Sequence, residues 1–161
     1  MGSCIDTYRA RYRAAFLRTT DVVPGIPSVL ARLAERYRLA VATSKIVEFS
    51  VPLLAALQLD QFFDAVAGPE LGVATTDKSA VVGSALAMLV TDRAVMVGDR
   101  CFDIAAARAH SLPAIGVTWG IGSRGELNSA GADVLTDDPS ELHVAVRDLM
   151  PQAAPRPQYR G

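Results

Sequence analysis

Residues 94–103 read AVMVGDRCFD, and this stretch decides the fold. Ala94 to Val97 is a four-residue apolar run, the kind that marks a strand buried on both faces of a parallel sheet. It breaks at Gly98 into Asp99 and Asp103, two carboxylates four residues apart where strand turns into helix, and helical spacing continues to His110. Hard oxygen donors at such a turn suit magnesium. The plainer alternative is that Asp103 caps its helix and Asp99 closes a turn.

Further short apolar runs lie at residues 39–43 (LAVAT), 114–117 (AIGV) and 132–135 (ADVL). Between them the spacing is helical. One pattern follows Pro24, Gly25 and Pro27 and carries Ile26, Val29, Leu30, Leu33 and Tyr37; another covers residues 46–57, bent or interrupted by Pro52. Residues 79–89 place Val81, Val82, Ala85, Leu86 and Leu89 on one face, and residues 141–149 close the series. Strands alternating with helices imply right-handed βαβ crossovers, hence an α/β fold with a doubly wound, Rossmann-like parallel sheet and helices on both faces.

Composition agrees with one globular domain. The chain has 161 residues, of which 50% are hydrophobic, enough for one sizeable core. Sixteen Lys and Arg against seventeen Asp and Glu give a net charge of -1, so no global field draws the chain to nucleic acid or an anionic membrane. Cys4 and Cys101 lie far apart without metal-ligand spacing, which argues against a disulfide framework or zinc site and suits a reducing cytoplasm. The first residues turn charged at once, and no uninterrupted apolar stretch is long enough to span a membrane. The expected divisions are an amphipathic helix within residues 1–20, an α/β core over 21–150 and a proline-rich flexible tail over 151–161.

In a doubly wound sheet ligands sit at the carboxyl ends of the strands, so the residues after each run matter most. The run at 39–43 ends in Thr43-Ser44-Lys45, whose hydroxyls and backbone amides suit a phosphate oxygen, or simply a turn. Lys78 stands just before the helix at 79–89, where a cation meets the positive end of the helix dipole; a nearby anion would explain it, as would simple exposure to solvent. Cys101 is read as a small buried hydrophobe without chemistry, and His110 and His143 as structural or solvated.

Together, a Thr ending a strand, a Lys about 35 residues on and a strand followed by Gly-Asp-x-x-x-Asp resemble motifs II, III and IV of the haloacid dehalogenase superfamily. Residues 23–45, 59–68 and 94–127 are similar to phosphoglycolate phosphatase-like members, and the resemblance covers about Val23 to Asp138. It implies a magnesium-dependent phosphate-monoester hydrolase acting on small phosphorylated metabolites. In that chemistry Thr43, Ser44 and Lys78 would bind the phosphate, with Thr43 and Lys78 catalytic, and Asp99 and Asp103 would hold Mg2+.

The family's nucleophile motif, Asp-x-Asp-x-Thr at the end of a first strand, does not occur in the 161 residues. The resemblance places that strand between those ending at Thr43 and Asp99, so the chain reads as N-terminally truncated, with residues 6–20 the last helix of a cap. Four expectations follow: weak magnesium binding, doubtful activity of the chain alone, self-association through an exposed sheet edge, and strands 39–43 and 94–97 that pair directly, take a strand from elsewhere or stay partly disordered. The alternatives to an enzyme core are a non-catalytic phosphate-binding or regulatory module that completes its sheet with a partner, and a remnant without folded function.

Overall fold

A computed structural model describes residues 20–73 and 77–150. The N-terminal helix and C-terminal tail expected from the sequence lie outside the described residues. The elements run α1 (Ile26–Ala34), β1 (Ala40–Ala42), α2 (Val47–Ala56), a 3-10 turn (Asp60–Phe62), β2 (Ala65–Ala67), α3 (Lys78–Leu89), β3 (Met96–Gly98), α4 (Cys101–Ala109), β4 (Ala114–Val117), α5 (Arg124–Ser129), β5 (Val134–Thr136), a second 3-10 turn (Pro139–Glu141) and α6 (Leu142–Leu149). All strand pairs are parallel, and strands alternate with helices as the apolar runs imply.

The period-two pleat sorts the core into two layers. On one face Ile115 and Val117 of β4 join Val29 and Leu33 of α1 and Leu142, Ala145 and Val146 of α6. On the other, Ala114 meets Val82 of α3, Ile104 and Ala107 of α4 and Leu127 of α5. All four β4 residues are buried, which explains why AIGV carries no polar position. α2 continues through Pro52 without breaking, its inner surface reduced to the buried Ser50. No helix among the described residues is long and apolar enough to cross a membrane.

The sheet is divided. Among the described residues β1 pairs only with β2, while β3, β4 and β5 form a separate three-stranded sheet in that order. Direct pairing of β1 with β3, one arrangement expected from the sequence, is not what the structure shows. The amides of Thr43 and Asp64 bond to Ala67 and Leu39, so backbone groups of residues 39, 41 and 43 face β2 and those of Ala40 and Ala42 face away. Met96 donates to Pro113, so on β3 it is Val97 whose backbone faces away from β4. The expectation that these two strands are buried on both faces is corrected accordingly: β1 is half-buried throughout and Val97 is 37% exposed.

Side chains hold the halves together. Ala42 packs with Ala94 and Met96 on the cluster of α3, α4 and α5, and Ala40 and Ala42 also contact the group of Ala67, Val81 and Ala85. α3 therefore lies astride both sheets. Gly116, in the middle of β4, gives α5 its close approach: a Cβ there would lie 2.6 Å from Leu135 Cδ2 and 3.1 Å from Leu127 Cβ. Gly116→Ala should lower the unfolding free energy by about 1–3 kcal/mol through overpacking, measurable as a lower urea midpoint at unchanged slope.

Candidate functional site

The carboxyl ends of β1 and β3 meet through one side chain. Lys78, the first residue of α3, donates from Nζ to the Ala42 carbonyl at 2.8 Å and pairs with Asp103 Oδ1 at 2.9 Å. Both side chains of the pair are nearly buried, 14% and 11% exposed. The Ala42 carbonyl is one of the groups facing away from β2, so the lysine satisfies an acceptor on an edge without a strand partner. An ammonium has three N–H donors, and these two contacts leave a third for an anion.

Thr43 follows directly. Its Oγ1 accepts from the Lys45 amide at 3.0 Å, closing a side-chain turn at the strand end. This is the turn-forming alternative, and it leaves the hydroxyl proton available to a phosphate oxygen. Ser44 beside it is exposed, while burial pulls the Lys45 ammonium below its ordinary value.

Asp99 and Asp103 stand in different surroundings. Asp103 is buried, with Oδ1 on Lys78 and Oδ2 accepting from the Arg100 amide at 3.2 Å. Asp99 is half-buried and uses Oδ2 to accept from the Ile121 amide at 2.7 Å, while its backbone carbonyl accepts from Gly122 at 3.0 Å. Gly98 permits this turn, because a Cβ there would sit 2.2 Å from Asp103 Cβ. Among the described residues no three His, Cys, Asp or Glu side chains converge on one point. This donor set fits a largely hydrated magnesium held through Asp99 and does not fit a caged ion.

Sequence reading missed Glu126. Its Oε1 accepts from the Cys101 amide at 2.9 Å and from Arg100 Nε at 3.1 Å, and these bonds hold its carboxyl at about 2, well below the ordinary 4.5. The hydrogen bond to Glu126 is also the main reason the Cys101 thiol is pushed up, which agrees with assigning that cysteine no chemistry. Ser123 and Glu126 have the S-x-x-E spacing of a helix start, and Ser123 Oγ does accept from the Glu126 amide. His110 ties α4 to α3 through a 2.7 Å contact between Nε2 and the Ser79 carbonyl, and His143 contacts the Ser140 carbonyl at 2.8 Å.

Removing one member of a buried pair strands the other. Lys78→Met should destabilise the fold by about 3–5 kcal/mol, and Lys78→Met with Asp103→Leu should recover most of the loss, both read by urea denaturation. Glu126 behaves differently with pH. Its folded pKa is depressed, so its contribution is present above about 4.5 and lost as pH falls towards about 2; the stability gap between the natural chain and Glu126→Gln should narrow over that window.

The sequence profile described as haloacid dehalogenase-like hydrolase matches residues 2–117. The chain is 33% identical to a probable phosphatase, IndB, of Dickeya dadantii, over 92% of this chain and 66% of that protein. It is 38% identical to a plasmid-encoded phosphoglycolate phosphatase of Cupriavidus necator, over 74% of this chain and 53% of that one. The crystal structure of a predicted phosphatase from Clostridium acetobutylicum superposes with a TM-score of 0.82 at 37% identity, covering 90% of this chain and 68% of that chain. The chain thus spans less than two thirds of the length of the curated relatives it matches. A doubly wound fold, a Thr, Lys and Gly-Asp-x-x-x-Asp set at adjoining strand ends and a profile match over most of its length make this chain a member of the haloacid dehalogenase-like hydrolase family.

Proposed function

We propose that the chain is the core of a magnesium-assisted phosphoryl-transfer enzyme that hydrolyses small phosphate monoesters such as phosphoglycolate. The observation that carries the reading is Lys78, a nearly buried cation held by Ala42 and Asp103 beside the Thr43 turn, with a donor to spare. The names of the relatives, a probable phosphatase and a phosphoglycolate phosphatase, support the same class.

In this reading the third Lys78 proton and the Thr43 hydroxyl donate to phosphoryl oxygens, with Ser44 at the exposed rim. Fixed donors in a partly desolvated site stabilise the charge that develops on transfer. Asp103 orients the ammonium, and Asp99 would hold magnesium, which would supply neutralisation of phosphoryl charge. Its single open carboxylate favours affinity weaker than micromolar. Attack requires a carboxylate nucleophile. Asp-x-Asp-x-Thr is not among the 161 residues, and by the family resemblance the strand that carries it would sit between β1 and β3, against the outward groups of Ala40, Ala42 and Val97.

A second reading, a non-catalytic phosphate-binding module that completes its sheet with a partner, rests on the same open edges. One experiment separates the two. The chain by itself should hydrolyse p-nitrophenyl phosphate no faster than a magnesium-containing buffer control. Adding a peptide strand that ends in Asp-x-Asp-x-Thr should give turnover, lost in Asp99→Asn. Binding of the peptide without turnover favours the module, and turnover by the chain alone that disappears in Asp99→Ala contradicts the need for the added carboxylate.

A further inference from the structure

We infer that Glu126 is a positioning residue for the Asp99 carboxylate: by holding the Cys101 amide and the Arg100 guanidinium on one oxygen, it fixes the turn on which Asp99 stands. The inference rests on the reading of Asp99 as the metal-holding carboxylate.

The segment after β4, with the first turn of α5, grips the turn between β3 and α4 at three consecutive residues, Asp99, Arg100 and Cys101. Gly122 donates to the Asp99 carbonyl, Ile121 donates to Asp99 Oδ2, and Glu126 takes Arg100 and Cys101. The approach leaves no room for side chains, since a Cβ at Gly120 would lie 2.2 Å from Asp99 Oδ2 and one at Gly122 would lie 2.0 Å from the Asp99 carbonyl oxygen. The two backbone donors set where Asp99 sits, but they belong to a glycine-bounded stretch whose Ile121 is 82% exposed. Stiffness has to come from the anchor that follows. Glu126 supplies it from the first turn of α5, where the neighbouring Leu127 is fully buried. The Arg100 guanidinium also lies over the Phe102 ring, 5.5 Å from its centre. Partners that orient a ligating carboxylate typically change metal affinity 10- to 100-fold when removed.

The test uses the whole chain, with Mn2+ as the probe ion followed by its free-ion spin-resonance signal, and amide hydrogen exchange read at Cys101 by NMR. Glu126→Ala should speed exchange at Cys101 by about tenfold, as expected for one lost hydrogen bond, and weaken Mn2+ binding by about 10- to 100-fold. Its thermal midpoint at neutral pH should fall modestly, in keeping with the stability that Glu126 contributes there, and the variant should remain folded at the temperature of the measurements. Glu126→Gln, which keeps an acceptor for the Cys101 amide but no charge for Arg100, should fall between the two. Natural exchange at Cys101 and natural Mn2+ affinity in Glu126→Ala would overturn the inference, as would exchange accelerated as strongly throughout β3, β4 and β5 as at Cys101. If the natural chain and Asp99→Asn bind Mn2+ equally, the metal reading fails. Exchange at Cys101 then decides Glu126 by itself: acceleration upholds the brace, and no change removes it.

Discussion

The contact of Lys78 with Ala42 and Asp103 is the constraint on which the rest of this structure depends. It joins the end of a two-stranded sheet to the first turn of the helix that follows the first strand of a three-stranded one, where no backbone ladder links the two sheets among the described residues. Burying an ammonium is costly unless it is paired and hydrogen-bonded, and Lys78 meets both conditions. The same pairing commits Asp103. Of the two carboxylates of the Gly-Asp-x-x-x-Asp segment, one is spent internally on charge balance, and the other, Asp99, is half-buried and engages a backbone amide through Oδ2.

The divided sheet and the site are two views of one arrangement. The outward backbone groups of Ala40, Ala42 and Val97 have no ladder partner among the described strands, and the polar residues Thr43 and Asp99 follow those same strands. Unpaired strand edges invite pairing, and a strand seated against these groups would carry its own last residue to the place where Lys78 has a proton to give. In the proposed reading, a strand that completed the sheet would also complete the site.

Much of this was legible in the sequence, for identifiable reasons. Ala114–Val117 is wholly apolar because both of its faces are covered, and Thr43, Lys78, Asp99 and Asp103 stood out because polar residues at strand and helix boundaries break an apolar pattern. β2 passed unread as a strand because only Ala65–Ala67 separates Asp64 from Gly68, too short a run to show a period. α5 was hidden because five of its six residues are not buried and only Leu127 reaches the core. Partnerships were least visible. That Asp103 serves Lys78, and that Glu126 reaches Arg100 and Cys101, follows from how α3, α4 and α5 pack, and neither bond joins residues close in sequence.

The central claim is that the ends of β1 and β3, joined by Lys78, form an anion site in this chain. The most direct test is to titrate inorganic phosphate into the chain and follow its backbone amides by NMR. The account predicts saturable shifts concentrated at Thr43, Ser44, Lys45 and Lys78, and their loss in Lys78→Met under conditions where that variant remains folded. Shifts that fall elsewhere on the surface, or that persist unchanged in folded Lys78→Met, would contradict it.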